Sequence, residues 1–376
     1  GKTAEDLSLA SADWYRANGI MLHLADPVVG INREARTVHS FKGITSYYDI
    51  LVFATGSAAF IPSIPGIDKE GVFIYRTIED LEMIGSFAQH INKATVIGGG
   101  LLGLEAAKAL LDLGVRDTQV IEYASRLMPK QIDSAGSRIL SAKLANLGLS
   151  VYTNSSTTAV LGNEWISGLQ FANGEKLETE MLVISAGIRP RDELAGLCGL
   201  QTGNRGGIVV NDLLQTSDPS IYAIGECALH RDMIYGLVAP GYEMAEVLAS
   251  NLCGLPGNTQ KFFTGFDMST KLKLVGTDVA SFGDPFIKGN GIQSITLNDA
   301  RKGIYKRINI SADGKHLLGG ILVGDAAQYN LLLQTCKNKL ALSPNPEELI
   351  LPRLGAEEKT GNAISSLPGD ALICSC

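Results

Sequence analysis

A run of three glycines set between a strand and a helix constrains this chain more than any other feature of its sequence. Lys93-Ala-Thr-Val-Ile97 is a short apolar strand pattern, and Gly98-Gly-Gly-Leu-Leu-Gly103 follows it without a gap. From Leu104 to Leu113, strong helix formers carry apolar residues at 104, 107, 110 and 111 along one side. Gly114 ends that helix, and Thr118-Gln-Val-Ile-Glu122 is a second strand closing on a carboxylate. A Gly-x-Gly-x-x-Gly string alone says little. Between a strand and a helix, with an acidic residue about twenty positions on, it is the fingerprint of a dinucleotide-binding βαβ unit. Gly98 permits the tight turn, Gly100 lets a pyrophosphate approach the backbone, and Gly103 lets the helix lie close to the strand. The helix N-terminus adds free N–H groups and the positive end of its dipole. Glu122 can accept hydrogen bonds from ribose hydroxyls, whereas a 2′-phosphate there would meet a carboxylate. That favours NADH, and Arg126 nearby keeps NADPH open.

The chain has 376 residues, enough for two or three domains at about 150 residues each. It holds 42 Gly but only 13 Pro, with no Gly-X-Y period, which suits many tight βα turns. Hydrophobic residues at 45% and charged residues at 19% place it among folded proteins, and a net charge of −7 argues against a nucleic-acid binder. The longest apolar stretch, Ala94 to Leu104, is broken by glycines and too short to cross about 30 Å of hydrocarbon. No apolar leader opens the chain. Six cysteines are too sparse for a disulfide framework, and the histidines lack metal-ligand spacing. The expectation is a cytoplasmic α/β protein that binds neither nucleic acid nor membrane.

The βαβ unit has echoes. Glu180-Met-Leu-Val-Ile-Ser-Ala-Gly187 reads as a buried strand ending in a small-residue turn. Tyr48-Asp-Ile-Leu-Val-Phe-Ala-Thr-Gly56 repeats the shape, and Ser220-Ile-Tyr-Ala-Ile-Gly-Glu226 is a third copy. Two dinucleotide-binding units in one chain would produce this pattern. Gly98 and Gly187 are 89 residues apart, and the same spacing counted back from Gly56 falls before residue 1. The expectation is therefore a first nucleotide unit whose opening βαβ, with its own Gly-rich loop, is missing. Gly19 to Leu24 and Arg36 to Ser40 read as further strands, and Trp14 and His23 as packing residues. Beyond Pro256-Gly257, Ser269–Val275, Ile304–Ile310 and His316–Val323 alternate as strands, and Tyr329–Cys336 reads as a helix. Lys271 and Lys273 suit a solvated edge strand, and Ser343 to Asp370 a linker.

The strings Tyr75-Arg-Thr-Ile-Glu-Asp-Leu81, Gly98-Gly-Gly-Leu-Leu-Gly-Leu-Glu-Ala-Ala107 and Ala186-Gly-Ile-Arg-Pro-Arg191 resemble flavoprotein reductases with two dinucleotide-binding domains. So do Gln215-Thr-Ser-Asp-Pro219, Ile221-Tyr-Ala-Ile-Gly-Glu-Cys-Ala228 and Gly236-Leu-Val-Ala-Pro-Gly-Tyr242. Within that class the resemblance is to the large subunit of assimilatory NAD(P)H-dependent nitrite reductase, almost end to end. It implies a Rossmann-like α/β fold: a discontinuous FAD-binding domain (1–92 and 206–260), an NAD(P)H-binding domain (93–205) and a small C-terminal α+β domain (262–342). Residues 343–376 would be a linker and the start of an iron–sulfur module. By the same resemblance Thr55, Gly56, Arg76, Gly225, Glu226 and Val238 meet FAD. Gly98, Gly100, Leu101, Leu102, Gly103, Glu122 and Gly187 line the NAD(P)H side. Glu226 stands where the wider superfamily has Asp, and reaches one methylene further. Cys374-Ser-Cys376 matches the opening half of a [2Fe–2S] ligand set, which needs four thiolates. The rest of that set and the sirohaem domain would belong to a longer polypeptide.

Hydride transfer between nicotinamide and flavin asks the protein mainly for orientation, so no catalytic side chain is expected. Cys198, Cys253 and Cys336 read as packing residues and Cys227 as filler, with no redox-spaced pair in the body of the chain. The resemblance implies that NADH reduces FAD, and that electrons pass to an iron–sulfur and sirohaem domain or small subunit that reduces nitrite to ammonium. Two alternatives stay open: a rubredoxin or ferredoxin reductase of the same fold, and a non-catalytic NADH-binding fragment. Homodimerisation is also left open.

Overall fold

A computed structural model describes residues 5–254 and 259–351, so Cys374, Cys376 and most of the expected linker lie outside the described residues. The chain divides into two units, Gly1–Phe60 with Gly187–Phe266, and Ile61–Ala186 with Asp267–Cys376.

The second unit is built on five parallel strands in the order Val72–Ile74, Met181–Ile184, Lys93–Ile97, Asp117–Ile121, Leu149–Tyr152. Both faces of this sheet are covered, and its strands Val72–Ile74 and Met181–Ile184 are unbroken apolar runs. Ala94, Val96, Val120 and Val183 face a cluster with Leu104, Leu110 and Leu140 from the helices Leu101–Asp112 and Ser134–Asn146. Ile121, Leu182 and Ile184 face the other way, onto Val160, Leu169 and Phe171 of an antiparallel three-stranded meander. The βαβ fingerprint runs from Lys93–Ile97 through Leu101–Asp112 to Asp117–Ile121 on one side, while Met181–Ile184 pairs on the other. The strand order therefore reverses at the end of Lys93–Ile97, the place where open α/β sheets bind ligands.

Val72–Ile74 pairs with Leu182–Ile184, and Ile84 and Ala88 of the helix Ile78–Ala88 join the core that holds Val96 and Leu104, so 61–92 goes with the second unit. Residues 187–205 belong instead with the first, because Ile188–Pro190 pairs with Ser57–Ala59 and Ala195 and Leu200 enter that unit's core. Nor does the C-terminal module have a core wholly its own. Its five antiparallel strands, ordered Thr270–Leu274, Thr277–Gly283, Leu317–Val323, Ile304–Ile310, Gln293–Asp299, put Leu274, Val279, Tyr305, Ile321 and Val323 into the cluster that holds Leu104 and Leu140. The opposite face carries Phe282, Ile308 and Leu322 against the helix Tyr329–Lys337. Thr270–Leu274 is an edge strand with Lys271 and Lys273 exposed.

The first unit contains a meander of Val28–Asn32, Thr37–Ser40 and Thr45–Tyr47. Beside it are parallel pairs of Leu51–Phe53 with Ile221–Ala223 and Ile208–Val210 with Ala228–His230, and the helix Val238–Cys253. Phe53, Ile221, Ala223, Cys227, Met244, Leu248 and Phe263 form its core. Residues 20–24 are not a strand: Ile20, Met21, Leu22 and Leu24 are exposed and outside every pairing of the described residues. Trp14 is half-exposed on the short helix Ala12–Ala17 rather than packed in a core, and Cys253 is exposed.

Candidate functional site

Three glycines of the fingerprint occupy three different environments. Gly98 has φ +120°, and a Cβ there would lie 2.1 Å from the Ser185 carbonyl oxygen, so no other residue fits the turn. A Cβ on Gly103 would sit 1.9 Å from the Gly98 carbonyl oxygen, which fixes how closely the helix Leu101–Asp112 lies on its strand. Gly100, the N-cap of that helix, has nothing within 4 Å of where a Cβ would stand. The opening lies where the first unpaired N–H groups of the helix are found, and it fits a phosphate. Leu101 is half-buried against the core and Leu102 is exposed.

Glu122 does more than end its strand. One oxygen accepts from the Gly99 N–H at 2.7 Å and the other from the Ala124 N–H at 2.7 Å, so the carboxylate shapes the glycine loop itself. A carboxylate accepts about four hydrogen bonds, which leaves capacity for ribose hydroxyls. Arg126 is committed elsewhere. Its guanidinium donates to the carbonyls of Ile132 and Pro129, each at 3.0 Å, and stands 5.6 Å from the centre of the Phe286 ring.

In the first unit the two remaining echoes meet. Leu51–Phe53 and Ile221–Ala223 are adjacent and parallel, so Thr55-Gly56 and Gly225-Glu226 emerge side by side at their carboxyl ends. The Thr55 hydroxyl donates to the Arg191 carbonyl at 2.6 Å, and the Arg191 N–H to the Gly56 carbonyl at 3.0 Å. Ser57 donates to a Glu226 carboxylate oxygen at 2.6 Å. The helix Val238–Cys253 begins here: a Cβ on its Gly241 would lie 3.6 Å from the Gly225 Cα, and the Gly225 N–H meets the Met244 sulfur at 3.2 Å. Val238, its first residue, is 73% exposed, which leaves the helix N-terminus open to a ligand. Ser57 and Met244 carried no assignment from the sequence; Ser57, next to Thr55-Gly56, had a local signal, and Arg191 ends the quoted string Ala186–Arg191.

Arg76 and Gly187 each belong to the other unit from most of the residues expected to share their ligand. Arg76 belongs to the second unit, directly after Val72–Ile74, where its N–H donates to Asp80 at 3.0 Å. Gly187 belongs to the first unit, its carbonyl accepting the Phe60 N–H at 2.9 Å. A cleft of about 560 Å³ in the first unit, lined by Asn211, Asp212, Arg231, Asp232 and Phe262 among others, contains none of the candidate residues. Among the described residues no His, Cys, Asp or Glu cluster could hold a metal, and no helix is long and apolar enough to cross a membrane.

Residues 2–247 match the pyridine nucleotide-disulphide oxidoreductase family, and residues 269–340 match the rubredoxin NAD+ reductase C-terminal domain. The nitrite reductase [NAD(P)H] large subunit of Klebsiella oxytoca is 49% identical over all 376 residues, which cover 39% of that protein. The nitrite reductase (NADH) large subunit of Escherichia coli K12 is 46% identical over the whole chain and 44% of its own length. The chain thus spans about two-fifths of these relatives. Among solved structures, NADH:rubredoxin oxidoreductase from Clostridium acetobutylicum superposes with a TM-score of 0.73 at 24% identity, covering 93% of this chain and 85% of that one. That likeness carries the fold alone.

Proposed function

The chain belongs to the pyridine nucleotide-disulphide oxidoreductase family, and from that membership and the two strand-end clusters we infer that it is an NAD(P)H-dependent flavin oxidoreductase, the electron-entry part of a nitrite reductase large subunit. The observation that carries this reading is the open cradle at Gly100, set at the helix N-terminus and at the sheet's switch point. Its backbone N–H groups would take the pyrophosphate of the nicotinamide cofactor, and Glu122 the adenosine ribose. The engagement of Arg126 with two carbonyls and a ring favours NADH over NADPH.

The residues of the first unit fit the flavin end of FAD. Thr55, Gly56, Gly225 and Glu226 stand at adjacent strand ends, with open space beside both glycines and a carboxylate next to them, and the helix from Val238 offers its N-terminus. FAD, when bound, accepts a hydride from reduced nicotinamide and can release electrons singly. The chain's own share is to orient the two cofactors; no proton-transferring side chain is assigned.

Beyond the flavin, the reading sends electrons to iron–sulfur and sirohaem centres of a longer polypeptide or a small subunit, where nitrite becomes ammonium. Cys374 and Cys376 would open the iron–sulfur ligand set there. The setting is cytoplasmic, and the chain pairs with a redox partner, with a homodimer compatible with the reading. A second reading has one specific support, the match of residues 269–340 to the rubredoxin reductase C-terminal domain: the acceptor would then be rubredoxin.

An anaerobic NADH titration of the FAD-reconstituted chain, followed in the flavin band at about 450 nm, is the test. Bleaching in proportion to NADH supports the reductase. NADH binding without flavin uptake would leave only the nucleotide-binding fragment. Catalytic reduction of added rubredoxin would favour the second reading.

A further inference from the structure

The glycine loop is braced from one direction by the segment 122–133, and that segment is braced in turn by the C-terminal sheet. On the loop side, Gly99 donates to Glu122 at 2.7 Å, and its carbonyl accepts the Met128 N–H at 2.9 Å. Leu127 stands close enough that a Cβ on Gly99 would lie 2.6 Å from it. Yet no helix or strand lies between Ile121 and Ser134, and Met128 is held at φ +47°, a conformation a methionine rarely adopts alone. The shape of this segment therefore depends on what surrounds it.

Three contacts fix its far end. Asp133 caps the helix Ser134–Asn146, one carboxylate oxygen accepting the Gly136 N–H at 2.9 Å. Its other oxygen accepts the Tyr305 hydroxyl at 2.5 Å and the Arg307 guanidinium at 3.2 Å, both from the strand Ile304–Ile310. A second tie runs from Arg126 to the Phe286 ring of the same C-terminal module. Between the two, the Leu127 N–H is held by the Ser137 hydroxyl at 2.9 Å. The two oxygens of one carboxylate thus join a helix cap to a sheet drawn from another part of the chain.

We propose that Asp133, gripped by Tyr305 and Arg307, is a positioning residue for nucleotide binding: the C-terminal sheet sets the shape of the segment that holds the glycine loop open. This rests on the NAD(P)H reading of that loop. The C-terminal module then has a part in the nucleotide site without touching the ligand, through the backbone it holds.

Tyr305→Phe removes one hydrogen bond while leaving the Asp133 cap and the Arg307 contact in place. The measurement is the NADH dissociation constant by calorimetric titration, with KM and kcat beside it in the FAD-loaded chain and the melting temperature as a folding control. Kd and KM are expected to rise about three- to tenfold, of the order of a weakened charged hydrogen bond passed to the loop, with kcat unchanged. Phe286→Leu, which removes the tie to Arg126 and keeps apolar volume, should move Kd in the same direction. Unchanged Kd in both variants, with wild type binding NADH, overturns the positioning role alone. Absence of NADH binding in the wild type would instead overturn the reading beneath it. A fall in melting temperature with Kd unchanged in the folded fraction would mark the contact as structural and also overturn the proposal.

Discussion

Neighbouring glycines of one motif can be constrained by opposite forces, and substitutions separate them. Gly103 is pressed against backbone: the added methyl of Gly103→Ala would stand 1.9 Å from the Gly98 carbonyl oxygen, which cannot turn aside as a side chain can. Ala is the better helix former by about 1 kcal/mol, so a purely local effect would stabilise. The clash is the larger effect, and Gly103→Ala should lower stability by about 2–3 kcal/mol in urea melts. Gly100 has space around it, so Gly100→Val should fold with stability within about 1 kcal/mol of wild type and lose NADH binding, because the side chain fills the cradle. Retained NADH affinity in folded Gly100→Val would remove the cradle from the site. Glu122 adds a caution at the same scale. Since it holds Gly99 and Ala124, replacing it would alter loop shape together with any change in cofactor preference.

At the scale of elements, the helix Ser134–Asn146 depends on a cap shared with a distant strand, and this gives its stability a pH signature. Burial alone would raise the Asp133 carboxyl, but the Gly136 N–H, Tyr305 and Arg307 outweigh it and hold it below its ordinary 3.8. A carboxyl lowered in the folded state stabilises fully above its unfolded value and loses that contribution as pH falls through the folded value. Asp133→Asn keeps a capping oxygen but not the charge. It should therefore be less stable than wild type by about 1–3 kcal/mol at pH 6, with the gap narrowing below about pH 4. Urea midpoints at pH 6 and pH 3 check this, and an equal gap at both would remove Asp133 from the acid-sensitive set. The sequence announced the local half of such features. The glycine loop, its strands and the helix Tyr329–Lys337 were legible because each is written in contiguous residues. The partner of Asp133 was not, being 172 residues away at Tyr305. Nor was the pairing of Val72–Ile74 with Leu182–Ile184, which joins strands far apart in the chain. Residues 20–24 failed for the converse reason: a largely apolar run becomes a strand only where a partner edge receives it.

At the scale of the molecule, the distribution of cores decides which parts feel a ligand. Leu104 of the helix Leu101–Asp112 and Val96 of the parallel sheet share one cluster with Val279, Ile321 and Val323 of the C-terminal sheet, whereas Phe53, Ile221 and Phe263 of the first unit form another. Separate cores permit separate unfolding, and a ligand stabilises the unit that must be folded to bind it. At a free concentration of about 100 times Kd, NADH should slow exchange through unfolding by roughly 100-fold, equivalent to about 2.7 kcal/mol. The slowing should reach amides of Met181–Ile184 and also those of Leu317–Val323, which lie far apart in sequence but share the core. It should leave Ile221–Ala223 at its rate without nucleotide, and FAD should give the reverse pattern. Hydrogen-exchange mass spectrometry resolves these strands as separate peptides. Equal protection of all three by NADH would mean that the chain unfolds as one body. Protection of Met181–Ile184 without Leu317–Val323 would mean that the shared apolar cluster does not couple the two sheets, and with it the reach of the C-terminal module into the nucleotide loop would weaken.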